Sequence, residues 1–154
     1  QDKFTEVDII AVNKAGIYVI ESKNYGGEIT GTKEGQYWYQ SLPGQSNSFY
    51  NPLKQNKTHC TALKYRLPKY GNYIKSLIVF GDGANISGIY DRYGEEKIIK
   101  CFDIYDTIME DIDRCRNNLK DSDIKAITQE IQQYTNVSRA VKKQHIRNIK
   151  RRYR

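Results

Sequence analysis

Two apolar runs, Val7-Asp8-Ile9-Ile10-Ala11-Val12 and Ile17-Tyr18-Val19-Ile20-Glu21-Ser22-Lys23, joined by Asn13-Lys14-Ala15-Gly16, decide how this chain is read. Both runs are rich in β-branched residues and the joining residues favour turns, so the segment is expected as a β-hairpin. With Asn13 to Gly16 as the turn, Val12 faces Ile17, and the same register puts Asp8 opposite Glu21 and Glu6 opposite Lys23. All four then point to one face, because side chains alternate along a strand. Adjacent strands lie about 4.8 Å apart, and like charges set directly opposite destabilise a sheet. An Asp8/Glu21 pair therefore needs a compensating cation. The competing reading is a pair of solvated edge-strand charges, but both acids are flanked by Ile, Val and Ala. That composition suits strands covered on both faces, where an unpaired carboxylate is costly.

Oxygen ligands point to a hard divalent ion, magnesium or manganese. The two histidines, His59 and His145, are far apart and there is no Cys-x-x-Cys pair, which argues against a zinc site. An Asp on one strand followed after a hairpin by Glu-x-Lys on the next resembles the core motif of the PD-(D/E)XK nuclease superfamily. The wider set is more specific. Thr5-Glu6-Val7-Asp8, Gly16 to Gly27, Ile29-Thr30-Gly31, Trp38 and Asn51-Pro52-Leu53-Lys54-Gln55-Asn56 with His59 and Leu63 resemble the nuclease-related domain, NERD. The resemblance implies a restriction-endonuclease-like α/β fold, a mixed β-sheet flanked by helices. It also implies that Asp8 and Glu21 bind magnesium or manganese, that Lys23 assists the attacking water, and that Gln55 contributes from a helix.

Each role has a physical reason. Two carboxylates can hold a metal that polarises a phosphoryl oxygen and acidifies water. Lys23 lies two residues beyond Glu21 on the same face, where an ammonium can offset charge developing on a phosphate; its alternative is a salt bridge to Glu6. Two departures from the family pattern stand out. The family's upstream helix, which supplies another acid, has no counterpart here, and Ile9 stands directly after Asp8 where the family commonly carries His.

The 154 residues suit one domain with a real core, expected over residues 1–138. The net charge of +7 belongs to the end of the chain: of 25 Lys and Arg, eight fall between Arg139 and Arg154, where there is no acid. What precedes them has 17 basic and 18 acidic residues. Lys142, Lys143, Arg147, Lys150, Arg151 and Arg152 are thus expected to grip nucleic-acid phosphates by sequence-independent counterion release. Ile146, Ile149 and Tyr153 recur at helical spacing, which also suits a basic amphipathic helix. DNA is the expected partner and RNA the alternative; a homodimer is compatible with the chain, but no interface is legible. Three irregularly spaced cysteines, Cys60, Cys101 and Cys115, suit a reducing cytoplasm. No run approaches the roughly 18 apolar residues of a membrane span.

Further along, short strands are expected near Glu28-Ile29-Thr30 and Tyr37-Trp38-Tyr39, with a loop from Gly44 to Phe49. Asn51 caps a helix with Pro52 in its first turn. Leu53, Asn56, Cys60, Leu63 and Leu67 form its core stripe, and Gln55 and His59 sit one turn apart on the neighbouring stripe, looking towards Glu21. His59 reads as a packing or hydrogen-bonding residue. Leu77-Ile78-Val79-Phe80 suits a buried central strand, Ile98 to Cys101 another, and Gly81-Asp82-Gly83 a turn. Helices follow from Asp103 and from Asp121 or Ser122. The expected function is metal-dependent phosphodiester hydrolysis through Asp8, Glu21, Lys23 and Gln55. The alternative is a nucleic-acid-binding or protein-interaction module that keeps the fold without the chemistry.

Overall fold

The computed structural model describes residues 6–89 and 96–135. The hairpin forms in the expected register: β1 (Ile9–Asn13) runs antiparallel to β2 (Gly16–Lys23), with Val12 paired to Ile17. Asn13 helps close the reversal, its Oδ1 accepting the Ala15 N–H at 2.8 Å. β2 is buried continuously from Gly16 to Glu21, whereas β1 is a half-exposed edge. On its other side β2 pairs in parallel with β6 (Ile74–Phe80), and β6 with β8 (Lys97–Lys100), giving the sheet order β1-β2-β6-β8.

Parallel neighbours need a long crossover. Between β2 and β6 the chain forms β3 (Gly27–Gly31), β4 (Tyr37–Leu42), β5 (Gln45–Tyr50), helix α1 (Pro52–Arg66) and a 3-10 segment, Pro68–Tyr73. The strands of that crossover join β7 (Ala84–Ile89) in a second four-stranded sheet of order β5-β4-β3-β7. β3 continues β2, and β7 continues β6, beyond a shared break. At that break the Gly81 N–H donates to the Lys23 carbonyl at 3.0 Å and the Gly27 N–H to the Gly83 carbonyl at 3.1 Å. Gly27 has a φ of +76°, and a Cβ there would run into the Ser41 carbonyl, so glycine is required. The two sheets part immediately after Lys23. The fold is the mixed α/β, restriction-endonuclease-like class, with two mixed sheets flanked by helices.

One strand departs from expectation and one was not anticipated. Gln45-Ser46-Asn47-Ser48-Phe49-Tyr50 is a regular strand and not a loop, paired residue for residue with β4. Ala84–Ile89 is the strand β7, which buries Ala84 and Ile86 and, past a register shift, Ile89.

α1 packs on the β2–β6 face that carries Ile17 and Glu21, and α2 (Ile104–Arg114) covers the opposite face. One core cluster joins Ile29, Trp38, Leu53, Ile78, Phe80 and Ile98 between the second sheet and α1. A second brings Leu67 and Ile17 under Leu119 and Ile127, the latter from α3 (Asp121–Thr135). A third sets Tyr18, Ile20, Leu77 and Val79 beneath Ile104 and Ile108. Full burial of one such side chain stabilises by roughly 1.5–3 kcal/mol.

One polar cluster ties α2 to its sheet. Asp111 accepts hydrogen bonds from the Tyr18 hydroxyl at 2.9 Å, the Lys75 amine at 3.1 Å and the Lys97 amine at 2.7 Å. Burial works to raise the Asp111 pKa, but the bonds from Lys97, Lys75 and Tyr18 outweigh it and leave it below the ordinary aspartate value. Burial, reinforced by Asp111, pushes the Tyr18 phenol well above its usual range. A depressed folded-state pKa means that the Asp111 contribution is complete above the ordinary aspartate range and fades as pH falls through it. Asp111→Asn should therefore lower stability at neutral pH by about 1–2 kcal/mol, since both lysines are more than a third exposed and screened. In urea unfolding across pH 7 to 3, the gap from the native protein should close towards the acid end.

Candidate active site at the sheet junction

The C-terminal end of β2 carries Glu21 and Lys23 to the point where the two sheets separate, and α1 closes over it. α1 begins where the sequence says it should. Asn51 is fully buried; its Oδ1 accepts the Leu53 N–H at 2.9 Å, and its amide donates to the carbonyls of Thr32, Lys33 and Gly35. One side chain thus caps the helix and ties it to the β3–β4 loop; losing such a cap costs about 1–2 kcal/mol. Asn56, also fully buried, donates to the Val19 carbonyl and the Ser76 hydroxyl, both at 2.8 Å. These two asparagines set the rotation of α1, so that Gln55 and His59 face the end of β2.

Glu21 is only 2% exposed. Its Oε1 lies 2.8 Å from the Lys23 amine and its Oε2 lies 3.3 Å from His59 Nε2. The Lys23 amine also donates to Gln55 Oε1 at 3.1 Å. Glu21, Lys23, Gln55 and His59 therefore form one chain of contacts, buried at Glu21 and His59 and half-buried at Lys23 and Gln55. Burial alone raises the Glu21 pKa, but His59 and Lys23 reverse this and hold it below the usual glutamate value. The carboxylate stays ionised inside the protein because two groups able to carry positive charge face it. The His59 contact lacks the geometry of a good hydrogen bond, so Glu21 Oε2 is buried without accepting one. We read that contact as electrostatic.

Asp8 behaves differently. The antiparallel ladder ends at Ile9–Ile20, one residue short of the anticipated Asp8/Glu21 pair. Asp8 is exposed, and its Oδ2 accepts the Ser22 N–H at 2.9 Å. Within the protein, Lys23 faces one oxygen of Glu21 and His59 the other. His59, read from the sequence as a packing or hydrogen-bonding residue, is the contact that the sequence undervalued. The signal for it was its spacing, one turn after Gln55 on a stripe facing Glu21. Among the described residues, no group of three or more His, Cys, Asp or Glu forms a ready-made metal cage. Lys142, Lys143, Arg147, Lys150, Arg151 and Arg152 lie outside the described residues.

A model of the nuclease-related domain family matches residues 1–81, a little over half of the chain. The chain belongs to the nuclease-related domain family. Glu21, Lys23, Gln55 and His59 all lie inside that match. A Bacillus anthracis protein described only as uncharacterized is 36% identical over 61 residues, which are 40% of this chain and 29% of that relative. The chain therefore spans less than a third of that relative's length. No solved structure matches. In this nuclease-related domain no helix among the described residues is long and apolar enough to cross a membrane.

His59→Ala would leave Glu21 buried with one charged neighbour fewer. The expected result is a loss of about 1–3 kcal/mol in urea unfolding and an upward move of the Glu21 pKa in a carboxyl NMR titration. An unchanged Glu21 titration would show that His59 does not bear on the carboxylate.

Proposed function

We propose that this domain is a metal-dependent nuclease that hydrolyses phosphodiester bonds of DNA. The observation that carries the reading is a glutamate kept ionised at 2% exposure, beside a lysine held by Gln55, at the point where two sheets diverge in a nuclease-related domain. Buried charges of this kind are costly, and clusters of them with a shifted pKa occur preferentially at functional sites.

The residues fit a hard divalent ion. Glu21 Oε2 is a buried carboxylate oxygen with no hydrogen-bond donor, and Asp8 lies one ladder step beyond β1, its carboxylate on the Ser22 amide. Asp8 and Glu21 would hold magnesium or manganese through oxygen alone, with water and substrate completing the shell as such ions prefer. The ion would supply Lewis acidity at the phosphate and a more acidic water. The chain's own groups do the rest. Gln55 Oε1 accepts from Lys23 and so fixes its ammonium, which is then available to donate to an oxygen of the scissile phosphate as negative charge develops there. His59 holds the Glu21 carboxylate from the helix side, and α1 keeps bulk water from that face. The basic run containing Lys142, Lys143, Arg147, Lys150, Arg151 and Arg152 would add salt-sensitive attraction to the backbone.

A second reading is favoured by one feature, the internal neutralisation of Glu21 by Lys23 with His59 nearby. On it, the domain binds nucleic acid and the buried pair is structural.

Nicking of supercoiled plasmid with magnesium or manganese separates the two. The nuclease reading expects Asp8→Asn, Glu21→Gln and Lys23→Met each to reduce cleavage by about 100-fold or more while circular dichroism stays native. Cleavage that survives both carboxylate changes would sink it. Metal-independent, salt-sensitive binding without product would select the second reading.

A further inference from the structure

Among the described residues four strands form the edges of the two sheets, and three of them are blunted. β1 has α3 packed against it, Ile10 and Val12 sharing a core cluster with Ile127, and a helix over an edge strand hinders pairing; the Leu119 N–H also holds the Lys14 carbonyl of its turn. β8 is only four residues long and begins and ends with lysine. β7 carries an irregular register against β3 and an internal turn in which Asn85 Oδ1 accepts the Ser87 N–H. Short strands, lysines and bulges are the devices by which proteins keep sheet edges from pairing.

β5 has none of them. Gln45-Ser46-Asn47-Ser48-Phe49-Tyr50 holds no charge, proline or glycine, and all six residues pair with β4 without a register shift. Among the described residues β4 is its one strand neighbour. Beside this edge, on the outer face of the sheet, stand three exposed tyrosines: Tyr37, Tyr39 and Tyr50. Tyr37 and Tyr50 are cross-strand partners in edge-to-face contact at 6.2 Å. Exposed Tyr with Ser and Asn is the composition of surfaces that bind other proteins with little loss of side-chain entropy.

We propose that the β5 edge is a homodimer interface, in which β5 pairs antiparallel with β5 of a second copy and joins two four-stranded sheets into one of eight. The edge is self-complementary. An antiparallel pair must set outward residues against outward residues. About a two-fold axis through Ser48 this places Ser48 against Ser48 of the partner subunit, and Tyr50 against Ser46 of the partner subunit. No like charges meet, because the strand has none. The axis stands perpendicular to the sheet, so both tyrosine faces lie on one side and both α1 helices, which follow β5 directly, lie on the other. The two Glu21 sites then open from the same side of the dimer. That last consequence matters for catalysis only if the nuclease reading holds; the dimer itself does not depend on it.

Sedimentation velocity of the 18.0 kDa chain at micromolar concentration tests this with three samples. Wild type should sediment as a dimer. Ser48→Lys and Ser48→Glu, which alter an exposed side chain and should keep the native circular dichroism spectrum, should each sediment as monomers because like charges face across the axis. Mixing the two variants should restore the dimer. A monomeric wild type, a dimer that survives either charge alone, or a mixture that stays monomeric would overturn the proposal. Plasmid nicking by the same samples reads the nuclease function separately, so failure of one claim does not pass for failure of the other.

Discussion

The structure turns on one buried carboxylate. Glu21 lies in the most deeply covered strand of the molecule, at 2% exposure, and an ionised group there is tolerated only while its partners stay in place. Lys23 comes with the strand, since it lies two residues on. Gln55 and His59 do not. They arrive on α1, and α1 reaches Glu21 in the right rotation only because Asn51 and Asn56 fix it to the β3–β4 loop, to Val19 and to Ser76. The polar contacts that dock the helix and those that hold the carboxylate are therefore one system, and loosening either exposes the other.

The parting of the sheets gives this system its access to solvent. β2 and β6 run side by side to Lys23 and Phe80, and their continuations β3 and β7 pair again beyond the glycine-rich break. A strand that simply continued would have kept Glu21 and Lys23 enclosed. The break leaves Lys23 partly exposed beside a fully buried neighbour, which suits a group that meets substrate next to one that holds its charge. On the other face of the same strands, the Tyr18, Lys75, Lys97 and Asp111 cluster uses similar chemistry to a different end. There the acid is neutralised by two lysines and serves to dock α2.

How far the sequence reveals this follows from where the information lies. The hairpin register was legible because the Asn13-Lys14-Ala15-Gly16 turn is local and β-branched residues flank it. The stripes of α1 were legible because Asn51 and Pro52 fix the helix start, and helical spacing then puts Gln55 and His59 on one side. The bond from the Ser22 amide to Asp8 was not legible, since an alternation rule cannot tell that the ladder ends at Ile9 and that the carboxylate just beyond it turns to a backbone amide. β5 was hidden for a different reason. Gln-Ser-Asn-Ser carries no strand propensity of its own, and it is a strand because β4 and the Tyr37–Tyr50 contact pair with it. The division into two sheets depends on hydrogen bonds between Gly81 and Lys23, and between Gly27 and Gly83, residues more than 50 positions apart.

The central claim is that Glu21 stays ionised while buried and serves as a ligand for a hard divalent cation. Manganese binding followed by titration calorimetry or electron paramagnetic resonance tests it without reference to any substrate. The account predicts saturable binding to the wild-type protein and its loss in Glu21→Gln, with the fold intact by circular dichroism. Manganese binding that Glu21→Gln leaves unchanged, or no binding by the wild-type protein at all, would contradict it.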